Sequence, residues 1–195
     1  MLLGATASVM DFGDNFQRVM RFNPSAFRCQ CMASAGPVHG VGGNGTKGDL
    51  MDTLATNVPI LFGEAGTHRR FTVAGWSEDS NKDTTWTVTH VAELEFRNGV
   101  LKRDPLLRIR ATPFIVANEL PFQEINVYLN GIWLTYALAA NDISLEVRVS
   151  RNFFNSQRNL LSFALPRATC PRDRGWNEDQ RILGFAFQRV ELADA

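Results

Sequence analysis

The chain has 195 residues and a mass of 21.8 kDa, room for one ordinary domain with a buried core or for that plus an extension. Twenty basic residues cancel twenty acidic ones at a sequence pI of 6.8, which argues against a nucleic-acid binder, a class that carries a basic excess. Apolar residues at 45% set the chain apart from disordered sequences, and no apolar run approaches the roughly 20 residues that span a bilayer.

Residues 1–57 differ in texture from the rest and read as an N-terminal arm. The start, MLLGATASVM, lacks a basic segment and a long apolar stretch, so it does not read as a cleavable signal, and the compartment stays open. Val9, Met10, Phe12, Phe16, Val19 and Met20 recur at helical spacing and predict a short amphipathic helix over 8–22. Asn23-Pro24 stops it, because the residue before a proline is pushed out of the helical region. Residues 35–48, AGPVHGVGGNGTKG, hold six glycines and predict a flexible linker. Gly40 to Gly45 matches G-x-G-x-x-G by letter, but no strand precedes it and no βαβ unit follows, so a dinucleotide site is not expected. Cys29 and Cys31 are one residue apart, closer than zinc ligands stand. With Cys170 they make an odd set, which argues against a stapled extracellular scaffold and leaves a bridge from Cys170 to either one open.

Residues 58–195 change to the period of strands. Thr84 to Arg97 places Trp86, Val88, His90, Ala92, Leu94 and Phe96 on one face of a run long enough to need a bend or bulge. Leu106–Ala111 alternates as well. Gln123–Asn130 runs through Asn130-Gly131 into IWLTYAL, the strongest short-range signal for a hairpin. Ile143–Val149, Asn159–Leu165 and Arg181–Leu192 complete the series. Some eight strands with little helix predict an all-β fold, an antiparallel jelly-roll β-sandwich.

No catalytic constellation stands out, and we expect a non-enzyme. Gly75-Trp76-Ser77 lacks the second glycine of a nucleophile elbow, where Asp79 stands instead. His39, His68 and His90 lie in a glycine loop, a basic turn and a strand, without partners in their own runs. The aromatics say more. Trp76 and Trp86 bracket the polar stretch SEDSNKDTT, Trp133 and Tyr136 follow the Asn-Gly turn, and Trp176 sits among charges. An indole beside carboxylates, amides and arginines suits a sugar, whose apolar ring face stacks while its hydroxyls hydrogen-bond. The competing reading places Trp76, Trp86 and Trp133 in the core. Seventeen arginines against three lysines favour planar contacts to carboxylates, in the protein or on acidic sugars.

Gly75-Trp76-Ser77 followed by Trp86-Thr87, the strand Val91–Phe96, the hairpin Val127–Gly131 and the block Cys170-Pro171-Arg172-Asp173-Arg174-Gly175 leading to Asp179-Gln180-Arg181-Ile182-Leu183-Gly184-Phe185 form one pattern. It resembles the carbohydrate-binding-like β-sandwich appended to bacterial glycosyltransferases and other proteins of surface-polysaccharide synthesis, over about residues 60–192. Ser80, Cys170 and Arg174 stand where that pattern has glutamate, serine and leucine. The resemblance implies the fold and a glycan partner. The expected function is therefore a non-catalytic carbohydrate-binding module for a cell-surface or capsular glycan. Trp76, Trp86 and Trp176 would stack, and Asp79, Asn81 and Asp83 would hydrogen-bond. Asp179 and Arg181 either face the ligand or pair with each other to pin the last strand. No cofactor is expected beyond a structural calcium that the oxygen-rich SEDSNKD stretch would allow, although its spacing fits no established calcium loop. The alternative is a structural jelly-roll subunit of a virion, filament or surface assembly, with the arm driving homo-oligomerisation.

Overall fold

The computed structural model describes residues 52–194. The expected helix, the glycine-rich linker, Cys29, Cys31 and the assembling role of the arm all fall outside the described residues. Within them twelve strands run in chain order: β1 Thr53–Leu54, β2 Ile60–Leu61, β3 Thr72–Ala74, β4 Trp76–Ser80, β5 Thr85–Thr87, β6 Val91–Asn98, β7 Leu106–Pro113, β8 Gln123–Leu129, β9 Ile132–Ala139, β10 Ile143–Arg148, β11 Asn159–Ala164 and β12 Phe185–Ala193.

They build two sheets, packed as an all-β sandwich. Sheet I has the order β1-β6-β11-β8-β9, with β3 also on β6; sheet II has the order β10-β7-β12-β5-β4, with β2 also on β12. Every pair is antiparallel except β1 with β6. Leu54 in β1 is buried, so the sheet takes in residues ahead of 58. Alternate residues of the long strands form the core, as a period of two dictates: Leu94 and Phe96 from β6, Leu107 and Ile109 from β7, Ile125 and Val127 from β8, with Phe163, Phe185 and Phe187 between the layers.

The predicted single strand over 84–97 is two strands in different sheets. Thr85 and Thr87 are buried in β5, whereas Ala92, Leu94 and Phe96 are buried in β6. The change from odd to even falls at residues 88–90, where the chain crosses from sheet II to sheet I. Trp86 therefore points away from the core that its spacing from Leu94 predicted. The buried hydroxyls are satisfied. Thr85 Oγ1 accepts from the Gly63 N–H at 3.1 Å and lies 2.8 Å from Ser80 Oγ, while Thr87 Oγ1 accepts from the Phe185 N–H at 3.0 Å.

The hairpin β8–β9 forms as expected. Asn130 at φ 53° and Gly131 at φ 79° both take the positive φ of a type I′ turn. The Asn130 amide also ties the turn to the neighbouring strand, donating to Asn159 Oδ1 at 3.0 Å and accepting from the Leu160 N–H at 2.9 Å. Gly75 has φ 80° too, but there a Cβ would stand 2.2 Å from the Val91 carbonyl oxygen, while at Gly131 it would meet nothing within 4 Å. Gly131→Ala is thus expected to cost about 1 kcal/mol, from backbone strain alone. Gly75→Ala is expected to cost about 3 kcal/mol or more, because a main-chain overlap adds to the strain. Urea unfolding measures both, and equal costs would contradict this account of Gly75.

His68 is buried beneath sheet II, stacked on Phe62 at 5.1 Å with its Nε2 3.1 Å from Thr85 Oγ1. Among the described residues its Nδ1 finds no partner at full hydrogen-bond geometry, and the Leu61 backbone only partly offsets its burial. Burial and then the neighbouring Arg69 pull its pKa below the usual 6.5. The neutral ring is the form that folds, so its contribution is complete above pH 6.5 and is lost as pH falls from there through the lowered folded-state value. Thermal melts at about pH 7.5 and 5.5 should show a drop that His68→Leu reduces; an unchanged drop would assign the acid sensitivity to other groups.

Candidate functional site

The residues expected to stack do not share one surface. Trp76 on β4 is drawn into the core, where Phe62 lies 5.0 Å from it, and Phe187 and Phe163 meet it edge-on at 5.0 Å and 6.1 Å. Its Nε1 donates to the Glu93 carbonyl at 2.8 Å. With its ring engaged by three phenylalanines, Trp76 offers no platform to a sugar. Trp86 and Trp176 do come together, through a residue the sequence did not point to. Phe114 receives Trp86 edge-on at 6.1 Å and lies tilted against Trp176 at 6.2 Å. Both indoles are half-buried.

The polar candidates also divide. The SEDSNKD stretch is strand β4 followed by a tight turn in which the Asn81 N–H donates to the Thr84 carbonyl at 2.9 Å; Asn81 and Asp83 stand exposed at its tip. Glu78 and Asp79 are both exposed, in the part of β4 where its register with β5 slips. Among the described residues no three His, Cys, Asp or Glu side chains converge. Asp179 and Arg181 bind one another, with Arg181 Nη2 donating to Asp179 Oδ2 at 2.6 Å and Nε to Oδ1 at 3.0 Å. The bond to Arg181 holds the Asp179 carboxyl below its usual range, and Asp179, with Asp79 as a smaller contributor, raises Arg181. Arg181 Nη1 also reaches Ser77 Oγ at 3.5 Å, and the Asp179 carbonyl accepts from the Arg172 N–H at 2.9 Å. The pair closes the loop that leads into β12.

A flat aromatic surface lies on the other sheet. On the outer face of β9, Trp133 is 47%, Tyr136 56% and Leu138 59% exposed. The two rings stack with centroids 6.4 Å apart and planes 29° from parallel. Residues three apart face opposite ways in a regular strand, and here a bulge brings them together. Tyr128 pairs with Trp133, but Val127 pairs with Thr135, so Leu134 is the extra residue. Beyond it the register runs Asn126 with Tyr136 and Glu124 with Leu138, all facing outward. Beside the aromatic row, over β8 and β11, a recess of about 220 Å³ is lined by Glu124, Asn126, Tyr128, His90 and Pro166 among others. Asn126 Nδ2 donates to Glu124 Oε1 at 2.8 Å, and His90 Nδ1 sits 3.3 Å from the Leu165 carbonyl. Burial, then the Glu124 charge, raises the Tyr128 hydroxyl, which stays a neutral donor at ordinary pH. The face thus offers two ring planes next to carboxylate, amide and phenol groups.

The sequence names Trp133 and Tyr136 as following the Asn-Gly turn but leaves them out of the expected site, with Trp133 also open to a place in the core. Residues three apart share this face only through the bulge.

No family model matches this chain, and no curated protein does. Solved structures resemble it in shape. The mosquito-larvicidal Cry4Aa toxin from Bacillus thuringiensis is similar over 73% of this chain, at 12% identity and a TM-score of 0.43. That match covers 24% of the toxin, so the chain spans about a quarter of its length. The CBM36-1 domain of a multidomain xylanase from the hindgut metagenome of Trinervitermes trinervoides is similar over 71% of this chain and 97% of that one, at 4% identity and a TM-score of 0.39. A family 35 carbohydrate-binding module from an environmental isolate is similar over 69% and 92%, at 8% and 0.36.

Proposed function

We propose that this protein is a non-catalytic carbohydrate-binding module that lays a cell-surface or capsular glycan across the outer face of sheet I. The observation that carries the reading is the exposed, near-parallel pair Trp133 and Tyr136 beside the polar recess of Glu124, Asn126 and Tyr128. Two broad ring planes stack on the C–H faces of successive pyranoses, and the polar groups fix the orientation by hydrogen bonds to hydroxyls. The rings are held by a bulged strand pair rather than a loop, so little side-chain freedom is lost on binding. Single sites of this kind bind weakly, and repetition along a polymer raises the apparent affinity. The resemblance to modules of surface-polysaccharide proteins points the same way. Affinity electrophoresis through gels carrying soluble polysaccharides, together with a glycan array, tests it. Retardation by at least one polymer is expected without release of reducing ends. No retardation and no array signal would overturn it.

One observation favours a second reading, a structural subunit. β9 is a sheet edge, and an edge bearing Trp133, Tyr136 and Leu138 also suits strand pairing with another copy. Sedimentation distinguishes the two: a discrete assembly that dissociates on Trp133→Lys, with no glycan bound, supports the subunit.

A further inference from the structure

A second recess opens next to the first. It measures about 310 Å³, and Arg167, Arg174, Trp176 and Glu119 stand on its walls. Pro166 lines both hollows, so they are neighbours along one path. The new recess contains two guanidinium groups that, among the described residues, meet no carboxylate at ion-pair distance. Arg167 lies 4.1 Å over the Phe122 ring and its Nε donates to the Phe122 carbonyl at 3.1 Å. Arg174 Nε reaches only Thr169 Oγ1, at 3.4 Å. The carboxylate present, Glu119, is engaged by the indole, whose Nε1 donates to its Oε2 at 2.6 Å.

Arg108, Arg181 and Arg189 on the same fold each hold an acidic partner, whereas these two guanidinium groups stand free of one beside a hollow. Two cations and an indole around a hollow match a sugar ring that carries an anionic group. The guanidinium planes suit a carboxylate, the indole suits the ring face, and Glu119 suits the hydroxyls as an acceptor. The hollow falls at the small end of the usual ligand-site range of roughly 300–1,000 Å³, the size of one sugar unit rather than a chain.

We propose that this recess is an anion-reading subsite, and that the ligand is an extended acidic polysaccharide. One uronate unit sits against Arg167, Arg174 and Trp176, and the chain continues past Pro166 towards Tyr136 and Trp133. The inference rests on the glycan reading above but adds the sugar class and a second contact region.

Affinity electrophoresis of the whole chain tests it with polygalacturonate, alginate and hyaluronan, with methyl-esterified pectin as the charge-neutralised counterpart, and with dextran, heparin and duplex DNA. At least one carboxylated polymer is expected to bind, and esterification to weaken polygalacturonate binding about tenfold or more if that is the polymer bound. Arg174→Gln should cost a similar factor on the acidic polymer and nothing on any neutral polymer that binds. Arg174 is exposed and makes one long hydrogen bond, so this variant should melt as the native protein does, which circular dichroism checks. Neutral polymers binding as well as acidic ones, or acidic binding untouched by Arg174→Gln, would overturn the subsite and leave the aromatic platform standing. Heparin, which carries sulfate groups besides its uronates, in preference to every polymer charged by carboxylates alone would assign the recognised anion to sulfate and overturn the sugar class. Equal binding of DNA would reduce the site to non-specific polyanion attraction. Silence on every polymer would remove the platform and the subsite together.

Discussion

Replacing Trp133 and Tyr136 together by alanine is expected to lower the affinity for the bound glycan about 100-fold, and each alone about tenfold. Both residues are about half in solvent and their rings contact one another, so their removal takes away ligand surface more than folding energy. The unfolding free energy should stay within about 0.5 kcal/mol of the native value, as for other surface substitutions. Isothermal titration and urea unfolding on the same preparations separate the two effects. An alanine pair that binds as the native chain does would discard the sheet I platform, whatever else the protein recognises.

Trp76→Ala is expected to do the reverse. Its ring fills the space between Phe62, Phe163 and Phe187, and its N–H satisfies the buried-side carbonyl of Glu93. Losing it leaves a cavity and an orphaned acceptor, at a cost of about 3–5 kcal/mol. For a domain whose whole stability is about 5–15 kcal/mol, that lowers the urea midpoint severely. Glycan affinity, measured where the variant is still folded, should not change. A Trp76 variant that keeps its midpoint but loses binding would return this indole to the ligand and contradict the packing described above. Trp76→Phe serves as a milder check, since a smaller ring keeps part of the cluster and should recover part of the lost stability.

Much of the fold can be read from residue order. The runs at Leu106–Ala111, Gln123–Asn130, Ile143–Val149 and Asn159–Leu165 correspond closely to β7, β8, β10 and β11, because one face of each must be apolar to reach the core. The Asn130-Gly131 turn was legible for a local reason, the positive φ both residues accept. The pairing of Asp179 with Arg181 was likewise open to reading from their opposite charges; in the structure a turn ahead of β12 brings them together, with the Arg181 N–H donating to Asp179 Oδ1 at 2.9 Å. The site was less legible. Trp86 switched faces because the chain changes sheets at residues 88–90, a step that alternation cannot reveal. β12 carries a bulge against β7 as well, with Phe187 opposite Ala111 and Arg189 opposite Arg110, so that Gln188 is the extra residue.

Strand periodicity, hairpin chemistry and the balance of charge are properties of neighbouring residues, and they alone suffice to specify an all-β sandwich. Which indole is packed and which meets water depends on contacts between strands far apart in the chain. Trp76 is enclosed by rings from β2's neighbour Phe62, from β11 and from β12, whereas Trp133 faces outward opposite Tyr128 and a one-residue bulge beyond it turns Tyr136 to the same side. A side chain's face in a sheet depends on parity, and a single inserted residue reverses parity without leaving any mark in composition or spacing.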